Sequence, residues 1–208
     1  MFIFIIILML FSASVLSSPE PTDISPPQFK SQADSNKKIT VNSGNVSDCG
    51  LNEKAQQLAL LIIQDPEQQR ATLSCHPLLA QAAADKAKAM AKGGKVNHYI
   101  GGLGANERLR MLGYQLPPFY SGTIGNQVEA VAGGYSTAEE AWRVFKTSAG
   151  HRSHLLGELP FYLQQNHIGV GFYYEWSSPH VEYWAVYVAR EAAPEDPVVT
   201  CYDIGCIN

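Results

Sequence analysis

The spacing of apolar residues changes once along this chain, and that change restricts the fold more than any other feature. In several segments between about residues 50 and 156, apolar side chains recur every three or four positions, whereas in the runs Ile168–Tyr174 and Val181–Ala189 they alternate every second position. The first period is typical of helices with one buried face, and the second is typical of strands. Two alternating runs joined by Trp176–His180 predict an antiparallel hairpin. Helices followed by strands, without βαβ alternation, indicate an α+β fold.

Helix ends can be placed from local sequence. Pro77 suits the first turn of a helix, where its missing N–H costs nothing, and Gly93-Gly94 suits a helix end. The run from Ser136 to Glu139 has the pattern of a capping box. The predicted helices are about 50–64, Pro77–Gly93, Ala105–Leu112 and 136–148, with one further turn at His151–Leu156. Apolar or small residues occupy both faces of the strands, so the sheet is expected to be covered on two sides.

The first 47 residues predict export of the chain. Residues 2–11 form an unbroken apolar run, and small residues follow it to Ser18, as in a secretory signal peptide over 1–18. The alternative is a retained anchor, but the run is shorter than the ~20 residues that a spanning helix needs, so no stable membrane span is expected after processing. Residues 19–47 are rich in Pro and Ser and predict a disordered tether. The folded domain is therefore expected at 48–208, in an extracellular or periplasmic protein.

Four cysteines lie at the margins of this domain: Cys49, Cys75, Cys201 and Cys206. In an exported chain they predict two disulfides, and three pairings are possible. Proximity in sequence favours Cys49–Cys75 and Cys201–Cys206. A four-cysteine zinc site is the alternative, but the sequence contains no C-x₂-C pair.

Three polar residues at element boundaries or in Gly-rich loops are the candidates for chemistry: His98, Glu129 and His151. Two imidazoles and a carboxylate are a ligand set that suits zinc, with a fourth position left for water. Their separations in sequence match no local metal motif. From these residues alone, three unrelated hydrogen-bonding roles are the favoured interpretation.

Several separated motifs resemble the CAP superfamily, also called the SCP or sperm-coating-protein-like family. They are the run Glu129–Ala141, Ser148-Ala-Gly-His-Arg152 and His167-Ile-Gly-Val-Gly171, and the resemblance covers about residues 76–190. It implies a three-layer α-β-α sandwich with a central antiparallel sheet. It also implies a cleft with two His and two Glu, in which His98, Glu129 and His151 match and the second Glu falls at Ser148. The Asn of the family's G-E-N motif is replaced, because the chain has Val128-Glu129-Ala130.

The resemblance implies a secreted, non-enzymatic binding protein, although a fold is weak evidence for an activity. Its cleft is expected to hold a divalent cation such as zinc, or to engage a small apolar ligand such as a lipid or sterol, or a protein at the cell surface. One alternative is a metal-assisted, peptidase-like hydrolase that uses His98, Glu129 and His151. Another is a structural interaction domain of the cell envelope. A net charge of −4 excludes a basic surface that would attract nucleic acid.

Overall fold

A computed structural model of the chain describes residues 46–122, 125–197, 200–202 and 205–207. The predicted signal peptide, 1–18, and the predicted tether, 19–47, lie outside these ranges except for the last two tether residues. Those two belong to a short 3₁₀ helix, Val46–Cys49, so the ordered domain includes them. Within the described ranges, no helix is long and apolar enough to cross a membrane.

The order of elements confirms an α+β fold. The helices are α1 (Glu53–Ile63), α2 (Pro77–Gly93), α3 (Ala105–Met111), α4 (Ala138–Thr147), α5 (Ala149–Leu156) and α6 (Pro160–Leu163). The strands are β1 (Ser74–Cys75), β2 (Glu129–Gly133), β3 (His167–Tyr174), β4 (Glu182–Ala189), β5 (Thr200–Tyr202) and β6 (Gly205–Ile207).

The main sheet has the strand order β1-β3-β4-β2. The predicted hairpin is confirmed as β3 and β4, which pair antiparallel with Val170 opposite Val186. Strand β2 is also antiparallel to β4, but β1 runs parallel to β3, so the sheet is mixed rather than wholly antiparallel. Only strands joined by a tight turn must be antiparallel, and β1 lies far from β3 in sequence.

Helices cover both faces of the sheet because the strand side chains alternate between them. Val170, Trp184 and Val186 pack with residues of α1, α4 and α5 in one hydrophobic cluster. Tyr183 and Tyr187 point to the opposite face and pack with residues of α2 and α3 in a second cluster. The expectation that the sheet is covered on two sides is therefore confirmed.

Helix α2 lies directly against β3 because two glycines leave room for its backbone. A Cβ atom at Gly169 would lie 2.1 Å from the nitrogen of Ala80, and one at Gly171 would lie 2.1 Å from the carbonyl of Ala83. Such distances cannot be tolerated, so only Gly permits this contact. The close packing fixes the end of α2, from which the chain enters the loop that carries His98.

Three local features differ from the sequence-based expectations. Strand β2 lies in the turn-rich stretch 114–135, for which the sequence predicts no element. Thr137, rather than Ser136, caps α4 by accepting from the backbone N–H of Glu140. The segment His151–Leu156, predicted as one further turn, belongs to a helix of eight residues, α5, which already begins at Ala149.

The disulfide Cys49–Cys75 is confirmed, and it ties the 3₁₀ helix to β1. Cys201 stands opposite Cys206 in the register of β5 and β6. The side chains of this second pair lie outside the described part of the chain, so the bond between them stays a prediction.

Candidate functional site

Three elements that are distant in sequence bring His98, Glu129 and His151 to the wall of one pocket of about 250 Å³. His98 lies in the loop between α2 and α3, Glu129 begins β2, and His151 lies in the first turn of α5. The centroids of the two imidazole rings are 6.5 Å apart. The pocket therefore has an imidazole on each side and the Glu129 carboxylate beneath.

The Glu129 carboxylate is buried and already has partners. The Tyr187 hydroxyl donates to Oε2 over 2.5 Å, and His98 Nδ1 lies 2.8 Å from Oε1. The Lys86 Nζ lies 3.4 Å from the same Oε1, and both side chains of this ion pair are fully buried. Burial lowers the pKa of Lys86, and the charge of Glu129 opposes this effect. Burial also raises the pKa of Tyr187 well above its usual range, and Glu129 adds to the rise.

This buried pair fixes the orientation of His98. A carboxylate only accepts hydrogen bonds, so Nδ1 carries a proton, and in the neutral form of the ring Nε2 keeps its lone pair. Lys86 also donates to the backbone carbonyl of His98 over 2.5 Å. The side chain of His98 is 45% exposed, and its Nε2 has no hydrogen-bond partner among the described residues. The ring is therefore held from behind and presents an acceptor to the pocket.

Asn126 completes the support of Glu129. Its Oδ1 accepts from the backbone N–H of Glu129 over 2.9 Å, and its Nδ2 donates to the Glu129 carbonyl over 3.1 Å. The same amide lies 3.0 Å from His98 Nδ1. Although the Asn of the family motif is missing, an Asn three residues before Glu129 contacts both members of the pair.

His151 forms the opposite wall. Its ring packs edge-on against Phe145, with 5.3 Å between the ring centroids. Burial lowers the pKa of His151, and the nearby His98 lowers it further, so both favour the neutral ring. Neither of its nitrogens bonds to another side chain or backbone group that the structure describes. Ser148, Gly150 and Tyr162 line the pocket beside it.

The predicted zinc ligand set of His98, Glu129 and His151 does not fit this geometry. Structural and catalytic zinc sites use at least three protein ligands with free lone pairs. The Glu129 carboxylate is instead engaged by two hydrogen bonds and by the Lys86 cation. Within the described ranges, no group of three or more His, Cys, Asp or Glu side chains is arranged to hold a metal ion. The pocket offers two imidazoles rather than a three-ligand site.

Sequence reasoning missed Lys86, Tyr187 and Asn126. Lys86 was detectable, because it lies on the apolar stripe of its helix between Ala83 and Met90, where a charge needs a buried partner. Tyr187 alternates with buried residues of β4 but gives no sign of its partner. Asn126 lies in a loop without periodicity, so its role depends on the tertiary structure alone.

Comparisons with known proteins add information about the fold. No family model matches the chain, and no curated protein matches it. Among solved structures, an outer surface protein from Borrelia burgdorferi aligns with a TM-score of 0.50 and 12% sequence identity. The alignment covers 65% of this chain and 90% of that chain. At this identity the likeness shows a shared fold and nothing about the site.

Proposed function

We propose that this chain is an exported, CAP-like binding domain whose pocket between His98 and His151 receives a polar group of a ligand. The order of the family's motifs supports the CAP assignment, as does the meeting of the three matching residues in one pocket. The apolar N-terminal run and the Cys49–Cys75 disulfide support export. The name of the structural neighbour, an outer surface protein, agrees with that location.

The proposal rests on two imidazole rings, His98 and His151, which have ring nitrogens without a hydrogen-bond partner among the described residues. The rings lie above the buried ion pair of Glu129 and Lys86. His98 presents the lone pair of Nε2, and neutral His151 has one donor and one acceptor nitrogen. The Glu129 charge is compensated by Lys86 below the pocket floor, so the site does not demand a cationic ligand. The volume of about 250 Å³ accommodates about eight water-sized groups. A neutral group that both donates and accepts hydrogen bonds is the best match.

A second candidate function is hydrolysis with His98 as the general base. It is favoured by the Glu129–His98 contact of 2.8 Å, because a carboxylate on Nδ1 leaves Nε2 ready to take a proton. Ser148 lines the same pocket, but no described hydrogen bond joins its hydroxyl to either imidazole. A nucleophile activated by a base normally shows such a bond. Binding without turnover therefore remains the first proposal.

The test is a screen of small polar fragments by NMR, which follows the imidazole nitrogen signals of the full chain. We expect hits that shift the Nε2 signals of His98 and His151, and loss of those hits in the double variant His98→Ala/His151→Ala. The control Trp176→Ala changes an exposed side chain in the turn between β3 and β4 that lines neither this pocket nor the cavity beside it, and it should bind like the parent. If no fragment shifts either imidazole, the binding proposal is wrong. If the parent releases nitrophenol from its acetate ester and the single variant His98→Ala does not, the hydrolase is the correct alternative.

A further inference from the structure

We propose that the groove along the outer edge of β2 binds an extended peptide, which adds to the sheet as a further strand. This inference rests on the proposed function, because the His98/His151 pocket forms one end of the groove. We call the whole feature the edge groove. Its floor is formed by β2, one wall by Val96 and His98, and the other by residues of α4 and α5 from Val144 to His151 that line the two cavities: Val144, Phe145, Thr147, Ser148, Gly150 and His151.

Among the residues that the structure describes, backbone groups on the outer edge of β2 have no partners. Strand β2 ends the sheet order, so within the described ranges only β4 pairs with it. Gly134 N–H donates to the carbonyl of Glu182, its register partner, and Val188 N–H donates to the carbonyl of Val128. Because hydrogen-bonded pairs alternate in an antiparallel ladder, Glu129, Val131 and Gly133 direct their N–H and C=O groups away from β4.

The side chain of Asn126 already pairs with one residue of this edge in the way that a neighbouring strand would. The Asn126 amide accepts from the N–H of Glu129 and donates to its C=O, as a neighbouring strand would. The described residues supply no equivalent partner for the outward groups of Val131 and Gly133. A buried backbone group without a partner is costly, and Val131 is only 7% exposed. An extended peptide beside β2 would satisfy both residues.

A second cavity continues the polar pocket along the same edge. It measures about 290 Å³ and is lined by Val131, Gly133, the imidazole of His180 and the apolar side chains of Val96, Tyr135, Val144 and Phe145. Ser148 and His151 line both cavities, so the two meet at the α4–α5 junction. The edge groove is therefore mainly apolar near Gly133, where His180 is its polar side chain, and lined by hydrogen-bonding groups near Glu129.

These features define the occupant. Four steps of about 3.3 Å separate the two ends of β2, so about five extended residues span the groove. An apolar side chain of the peptide would enter the cavity near Gly133, and a neutral polar side chain would meet His98 and His151. The unpaired backbone groups favour a peptide over a lipid, because an acyl chain cannot bond to them. Neither cavity is lined by a charged side chain other than Glu129, so no charge is required.

The experiment starts from a random heptapeptide library displayed on phage and selected on the purified full chain. The most enriched peptide is then synthesised with a single N-methyl group at each position in turn. If the peptide adds to β2, methyl groups at alternate positions should weaken binding about tenfold, which is about 1.4 kcal/mol. Methyl groups at the positions between should change affinity less than about twofold, because those N–H groups face away from β2. Absence of any enriched peptide, or an N-methyl pattern without alternation, would overturn the proposal.

Two variants of β2 test the same contact from the side of the protein. Val131→Pro removes the outward N–H and leaves the ladder with β4 intact, since Pro is tolerated at an edge position. Val131→Ala is the matched control, because it loses the apolar side chain but keeps the N–H. We expect Val131→Pro to bind the peptide about tenfold more weakly than Val131→Ala. Equal affinities would contradict strand addition, and the N-methyl series on the parent chain decides the question if Val131→Pro does not fold.

Failure of this inference can be separated from failure of the proposed function. If polar fragments still shift the imidazole signals, but the effect of N-methyl groups on affinity does not alternate along any peptide, the pocket binds ligands and strand addition is wrong. If a peptide shows alternation and loses affinity in His98→Ala/His151→Ala, both proposals are supported. If it shows alternation and is insensitive to that double variant, strand addition is supported, and the role of the imidazoles is wrong.

Discussion

Replacement of Lys86 by Met should destabilise the domain more than any surface substitution on the same helix. Lys86 and Glu129 are fully buried, and 3.4 Å separates Nζ from Oε1. At an effective dielectric constant of about 20, two unit charges at this distance attract each other by about 5 kcal/mol. Met occupies a similar volume, so Lys86→Met removes the charge and leaves little cavity. We expect the free energy of unfolding to fall by about 3–5 kcal/mol, because the Glu129 charge is left buried without its partner.

The double variant Lys86→Met/Glu129→Gln separates the charge from the rest of the site. Its buried charges are both gone, and the main remaining loss is the bond from Lys86 to the carbonyl of His98, worth about 1 kcal/mol. We therefore expect the double variant to be more stable than Lys86→Met. Lys88→Met is the matched control, because Lys88 is exposed two residues further along α2 and should change stability by less than about 0.5 kcal/mol.

The assay is urea unfolding at pH 7, followed by tryptophan fluorescence, to which the buried Trp142 and Trp184 contribute. A loss of less than about 1 kcal/mol in Lys86→Met would refute the reasoning, because it would mean that Glu129 does not need the Lys86 charge. A double variant less stable than Lys86→Met would also refute it.

Three further predictions concern packing, pH and the disulfide. Gly171→Ala should lower the free energy of unfolding by about 3 kcal/mol or more, since its Cβ would lie 2.1 Å from the backbone of α2. Gly150→Ala is the control, because its Cβ meets nothing within 4 Å, and it should melt at the same temperature as the parent or higher when both variants are unfolded by heat. Burial lowers the pKa of His154 to about 3, so between pH 6.5 and 3 the unfolded chain binds a proton that the folded chain does not, and stability falls as the pH falls. Between pH 6.5 and 4.5, the free energy of unfolding of His154→Gln should therefore fall by roughly 2–3 kcal/mol less than that of the parent. If urea titrations show that the free energy of unfolding depends on pH equally in both proteins, this prediction is wrong. Replacing Cys49 and Cys75 by Ser should lower the free energy of unfolding by roughly 3–4 kcal/mol, and an unchanged urea midpoint would show that the bond adds no stability.

Helices α1 to α5 and the hairpin were predictable because their patterns are local, whereas the short helix α6 was not predicted. The apolar stripe of α2 and its flanking Pro77 and Gly94 reproduce the observed ends of that helix. Alternation along β3 and β4 predicted their pairing, since each strand buries side chains on both faces of the sheet. Strand β2 was missed because its five residues, Glu129–Gly133, are mostly small and lie between Gly-rich turns. Only its contact with β4 makes it a strand.

The candidate site was partly predictable. His98, Glu129 and His151 stood out as polar residues at element boundaries, and the family resemblance placed them together. The partner of Glu129 was not predictable, because Lys86 lies on a different layer of the fold and is joined to it only through the sheet packing. For the same reason, the sequence could not show that Glu129, one of the three predicted zinc ligands, forms a buried ion pair with Lys86 and orients the imidazole of His98.

The sequence by itself determined the period of each element, the α+β class and the favoured pairing of Cys49 with Cys75, because these depend on neighbours along the chain. The tertiary structure decided the edge position of β2, the direction of its unpaired N–H and C=O groups, and the charge that neutralises Glu129. These depend on which surfaces meet when α2 and the α4–α5 junction close over the sheet. Hydrogen bonds and ion pairs act over a few ångströms in space, and separation in sequence does not limit them.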